Sequence, residues 1–153
     1  MASKINLQRT IQLIAALLIF LFVYTATSKF LDFNSFKLTL HASPLITDKN
    51  ILVAWAIPVV ELITAALLLI PRTRLFGLYS SLGIMTVFTL YLGYMLLFTP
   101  NRPCVCGGVI KTMSWNGHLV FNCFFVLLSL MAIRLHKMVE RRAAGNNTSI
   151  VFT

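Results

Sequence analysis

The sequence predicts an all-α membrane protein: a bundle of four transmembrane helices with a short interfacial helix in the first outer loop. Three observations carry that expectation. Hydrophobic residues make up 58% of the chain and charged residues 11%, whereas soluble globular chains carry charge on about a quarter of their residues. Mean hydropathy is +0.85. The apolar residues also gather into runs close to the ~20 residues that cross a bilayer. A net charge of +9 in a soluble chain would raise nucleic-acid binding. Here the cations flank the apolar runs, which reads as membrane topology. The lipid bilayer is therefore the expected partner, and nucleic acid is not. With 153 residues and no polar linker, low-complexity tract or internal repeat, one domain over 1–153 is expected.

The first run covers Ile11 to Ala26 and extends to Phe30, giving a span over about 11–30. Its start imitates a signal peptide, with Lys4 and Arg9, an apolar core, then Thr25-Ala26-Thr27. We read it as a retained first helix. The segment that follows, "SKFLDFNSFKLTLHASP", sets Phe33, Phe36 and Leu40 on one helical face with Lys29, Asp32 and Lys37 between them. A short helix in the membrane interface would bury the aromatics and wet the charges. The plainer alternative is a folded-back cap without chemistry. The second span, 51–70, is closed by Pro71; the third, 75–98, by Pro100; the fourth covers 115–135, with Ser114 as its cap. Hydrocarbon offers no water to backbone groups, so spans this long must be helices. Gly77 with Ser81, and Thr89 with Gly93, have the small-xxx-small spacing of close helix packing. Trp55, Trp115, Tyr91 and Tyr94 fall near predicted outer ends, as aromatic belts do.

Orientation follows from the cations. The N-terminus, second loop and tail carry eight (Lys4, Arg9, Arg72, Arg74, Arg134, Lys137, Arg141, Arg142) against five on the other side (Lys29, Lys37, Lys49, Arg102, Lys111). Both termini are expected in the cytoplasm, with residues 27–50 and 99–114 on the outer face. In a bacterium that face is the periplasm, where disulfide chemistry is routine.

All three cysteines lie in "PCVCGGVIKTMSWNGHLVFNC", residues 103–123. Cys104 and Cys106 bond to each other only if the chain bends sharply between them. Gly107 and Gly108 supply backbone freedom beside the pair. A tight exposed disulfide of this kind is the oxidising, labile type suited to exchange. As an entropic staple, a loop with one residue between its cysteines gains almost nothing. Two other readings stay open: a structural link from either residue to Cys123, and a metal site. Two thiolates and one histidine make a thin set for zinc. Cys123 lies about 13 Å inside the fourth span and turns about 100° from Asn122. It is either a buried inert thiol or a third member of a thiol relay.

Glu61 is the only carboxylate inside a predicted span, about 15 Å below its outer end. A carboxylate at that depth costs a few kcal/mol (about 3) unless paired or protonated, which makes it a functional candidate. His118 and Asn122 descend from about 6 to 12 Å on the fourth span toward the same level. The cluster Glu61, His118 and Asn122 would relay protons or bond a quinone carbonyl. Otherwise it is a structural hydrogen bond between two helices.

Together, Cys-x-Cys-Gly-Gly at 104–108, "MSW..H..FN" at 113–122, "PxxEL" at 58–62 and "KFLDFNSFKLTLHASP" at 29–44 resemble the MauE/DoxX family of redox-associated membrane proteins, particularly its small Bacteroidota-type members. The likeness runs from about Ile11 to Arg134. It implies a bacterial inner-membrane protein of four helices, with Cys104 and Cys106 as redox pair and Glu61 as motif carboxylate. It also implies a periplasmic thioredoxin-like partner, or a protein undergoing disulfide formation, and a link to quinone. The chain departs from the related scheme of DsbB and VKOR, which carry a Cys-x-x-Cys pair that it lacks. The expected function is thiol–disulfide exchange with the periplasmic partner, and whether that exchange is enzymatic in its own right stays open. The rival reading is a non-catalytic membrane subunit or maturation factor that anchors or assembles a partner, within a larger membrane complex. A transporter is disfavoured because no broken helix or inverted repeat is visible.

Overall fold

The computed structural model describes residues 2–41, 50–98 and 115–148. Five helices account for nearly all of them: α1 (Ala2–Leu31), α2 (Phe33–His41), α3 (Asn50–Leu69), α4 (Arg74–Phe98) and α5 (Trp115–Thr148). No strand occurs among the described residues. Four helices are long and apolar enough to cross a membrane, over Ile5–Leu31, Ile51–Leu69, Arg74–Phe98 and Asn116–Arg141. The expected four-span architecture is thus present. Two boundaries differ. Helix α1 begins nearer the N-terminus than the apolar run does, and α5 continues past 135 through polar sequence. At 34 residues α5 is about 51 Å long, well beyond the ~30 Å of hydrocarbon.

The long helices form a ring in which α1 touches α3 and α5, while α4 touches α3 and α5. Helices α3 and α5 therefore stand on opposite corners. The centre is filled by Ile14, Leu18 and Phe22 from α1, Ala65 and Leu68 from α3, Leu78 and Met85 from α4, and Phe125, Ala132 and Ile133 from α5. Much of the remaining apolar surface points outward, including Phe20, Leu52, Phe76, Leu90 and Leu127. That distribution suits a protein whose solvent is hydrocarbon.

Polar seams set the register between helices. Ser129 Oγ donates to the Phe125 carbonyl at 2.9 Å, so its oxygen accepts from Ser81 at 3.2 Å, joining α4 to α5. Thr64 Oγ1 donates to the Val60 carbonyl at 2.9 Å and accepts from Ser80 at 2.8 Å, joining α3 to α4. The α3–α4 hairpin is tight. Thr73 Oγ1 donates to the Leu67 carbonyl at 3.0 Å and Arg74 Nε to the Leu68 carbonyl at 3.3 Å, satisfying acceptors that the end of α3 leaves open. A Cβ at Gly77 would lie 2.8 Å from the Leu68 backbone nitrogen. Only glycine lets the helices approach this closely. Gly93, with nothing within 4 Å of a Cβ, serves no such contact, so the two small-xxx-small pairs behave differently.

Helix α2 is nearly a continuation of α1. Asp32 N donates to the Ser28 carbonyl at 3.1 Å and Phe36 N to the Asp32 carbonyl at 3.0 Å, which keeps helical bonding on both sides of the break. Its apolar face does not wait for lipid: Phe36 and Leu40 are buried with Ala54 of α3, and Phe33, Val53 and Ile57 close around them. Trp55 packs on Phe33 with ring centroids 5.0 Å apart and on Phe30 at 5.8 Å.

Candidate functional site

Where α1 meets α2 the structure places the polar feature with the most chemical content. Lys29 lies in the last turn of α1. Its Nζ is 2.7 Å from Oε1 of Glu61, with side-chain exposures of 13% and 1%. Glu61 stands about 16 Å along α3 from its Asn50 end. Pro58, fully buried one turn earlier on α3, removes a backbone donor from that part of the helix.

Aromatic faces close the ammonium off. Lys29 Nζ lies 5.8 Å from the Phe36 ring centroid and 5.5 Å from that of Phe88, both within cation–π range. Residues of α1, α2, α3 and α4 thus converge on one charge. Thr25, one turn before Lys29, is a further side-chain neighbour of Glu61, while its Oγ1 donates to the Phe22 carbonyl at 3.2 Å. Glu61 Oε2 has no hydrogen-bond partner among the described residues. The pair is therefore neutral as a unit, shielded from solvent, and left with one acceptor oxygen for a proton or an incoming donor.

Lys29 was expected among the wetted charges of the first outer loop. It is instead a helical residue with its ammonium turned inward, because Glu61 compensates it there. A signal for this was available: the apolar run extends to Phe30, so Lys29 falls inside it and needs an acidic partner.

A family model described as "Methylamine utilisation protein MauE" matches residues 7–135. The chain belongs to the MauE family. Neither a curated protein nor a solved structure matches it.

The MauE match takes in α3 and α4 whole, α1 from residue 7 and α5 as far as residue 135, with the Lys29–Glu61 pair and the segment between α4 and α5. In this MauE-family chain Cys104 and Cys106 lie outside the described residues. The ends of the segment that carries them, Phe98 and Trp115, emerge at the end of the bundle where α2 sits, opposite the α3–α4 hairpin. His118 and Asn122 are half-buried and share one α5 face with Phe125, Ser129 and Ala132. They do not join Glu61 through a hydrogen bond among the described residues, and their helix stands diagonal to α3. The expected cluster of Glu61, His118 and Asn122 is thus divided between two corners, with Lys29 holding the carboxylate. Cys123 faces outward and is exposed, which corrects the expectation of a buried thiol: the 100° turn from Asn122 carries it off the interior face. Among the described residues no group of three or more His, Cys, Asp or Glu side chains is placed to hold a metal ion.

Proposed function

We propose that this MauE-family chain is a bacterial inner-membrane thiol–disulfide exchange component, with both termini cytoplasmic and the 99–114 connection in the periplasm. The observation that carries the reading is a cysteine pair, Cys104 and Cys106, in the connection between two membrane-spanning helices. In the exchange, a thiolate of a periplasmic thioredoxin-like partner attacks one sulfur of the Cys104–Cys106 disulfide. The other sulfur leaves as a thiolate. The partner's second thiolate then attacks the mixed disulfide, so the partner becomes the disulfide and the pair a dithiol. Two electrons and two protons have moved, and the reverse sequence delivers them to the partner. The Lys29–Glu61 pair supports this by holding α1, α2, α3 and α4 together toward the end from which the cysteine segment emerges.

Mass-shift alkylation of cells grown with and without reductant tests the reading. The pair is expected to move between alkylated and protected forms, and a Cys106→Ser chain to retain a partner as a mixed disulfide. A pair that never cycles sinks the proposal.

The length of α5 favours a second reading, a maturation or anchoring subunit of a membrane complex. About 20 Å of this helix extends past a bilayer-spanning length, offering a surface to a partner. Cys104→Ser with Cys106→Ser separates the two: full function in the double variant favours the subunit, and lost function with normal assembly favours exchange.

A further inference from the structure

At the other end of the bundle, α5 carries a set of cations that the exchange chemistry does not use. Arg134, Lys137, Met138 and Arg141 line an open recess of about 510 Å³. The spacing places all four on one helical face. Lys137 is steadied by α4, its Nζ lying 5.4 Å from the Tyr79 ring centroid. Among the described residues none of the three cations is in an ion pair. Glu140, the nearest carboxylate in sequence, faces His136 at 3.6 Å instead.

Depth points to what fills the recess. The Ser81–Ser129 hydrogen bond fixes α4 against α5. From that level α4 runs about 10 Å back to its start at Arg74, where the hairpin turns, and α5 runs about 8 to 18 Å to reach Arg134 through Arg141. The cations therefore bracket the level of the α3–α4 hairpin, where the third candidate span begins at Arg74. One to two turns nearer the bundle centre, Leu127, Leu130 and Met131 are exposed on the same side of α5. A phosphodiester at this depth meets two guanidinium forks, which suit its oxygens better than ammonium groups do. Met138 and the body of Tyr79 offer apolar surface beside it.

We propose that Arg134, Lys137 and Arg141 form a head-group site for an anionic glycerophospholipid, whose phosphate accepts their N–H groups while its chains run along the outer face of α5. The proposal does not depend on the cysteine chemistry or on which leaflet the site faces.

The full-length chain in phosphatidylcholine nanodiscs, with and without phosphatidylglycerol, supplies the test, read by native mass spectrometry and thermal unfolding. Phosphatidylglycerol is expected to remain bound and to raise the unfolding temperature. Arg134→Gln, Lys137→Gln and Arg141→Gln should each weaken its retention roughly fivefold, and all three together about a hundredfold. Arg9→Gln, Lys37→Gln and Arg72→Gln, which remove the same charge elsewhere, should leave it intact. Equal losses in that control, or none in any single α5 variant, would overturn the site. Glycerol 3-phosphate added to phosphatidylcholine discs should give no protection; protection matching phosphatidylglycerol would show a soluble phosphate site and remove the lipid. The single variants keep the test decisive if the triple variant does not fold.

Discussion

Lys29 and Glu61 form an ion pair that neither residue survives alone. Breaking a buried pair by removing one partner costs about 3–5 kcal/mol, because a desolvated charge is left without compensation. Replacing both by apolar residues of similar size is often close to neutral. Glu61→Gln and Lys29→Met should therefore each lower stability in detergent sharply, while Lys29→Met with Glu61→Leu recovers most of the loss. Thermal unfolding of the four proteins, assembled as a double-mutant cycle, measures the coupling. If the double variant refolds well and thiol exchange continues, the pair is purely structural. If it refolds and exchange stops, the vacant Oε2 belongs to the chemistry. Cys123 gives a second residue-scale expectation. Exposed on a spanning helix, it should react with a lipid-soluble maleimide in intact membranes and resist a membrane-impermeant one.

At the scale of elements, the α3–α4 hairpin is the tightest contact in the bundle that the glycines reveal. A Cβ on residue 77 would come within 3.0 Å of the Leu67 backbone and of both backbone and side chain of Leu68, and backbone cannot move aside as a flexible side chain does. Gly77→Ala is expected to destabilise by about 1–3 kcal/mol, in the range of overpacking. Gly93→Ala meets open space, so the better helix propensity of alanine should leave stability unchanged or raised by up to about 1 kcal/mol. Unfolding curves of the two variants under one condition check the contrast. Sequence spacing alone treats the two sites alike, since both match the small-xxx-small pattern. Helix α2 teaches the same lesson: its Phe33, Phe36 and Leu40 face is legible as apolar, but only packing assigns that face to α3.

For the whole molecule the proposed orientation rests on charge, and the ion pair sharpens it. With Lys29 compensated internally by Glu61, five outer cations become four against eight. In a Cys123→Ser background, an impermeant thiol reagent applied from the periplasm should label reduced Cys104 and Cys106, and the same reagent in inverted vesicles should not. The opposite pattern would reverse the topology. Taken by itself the sequence determined the fold class, the four spans, the short helix after the first and the lone intramembrane carboxylate. Hydrocarbon compels helices wherever the chain stays apolar for long enough, so those features need no knowledge of neighbours. Only the tertiary structure decided that α3 and α5 stand diagonally, that Lys29 reaches Glu61, and that Cys123 points away from the core. Helix α1 has almost no hydrophobic asymmetry. When the interior and the surrounding solvent are both apolar, sequence leaves a helix's rotation and its neighbours nearly unspecified, and close contacts must choose them.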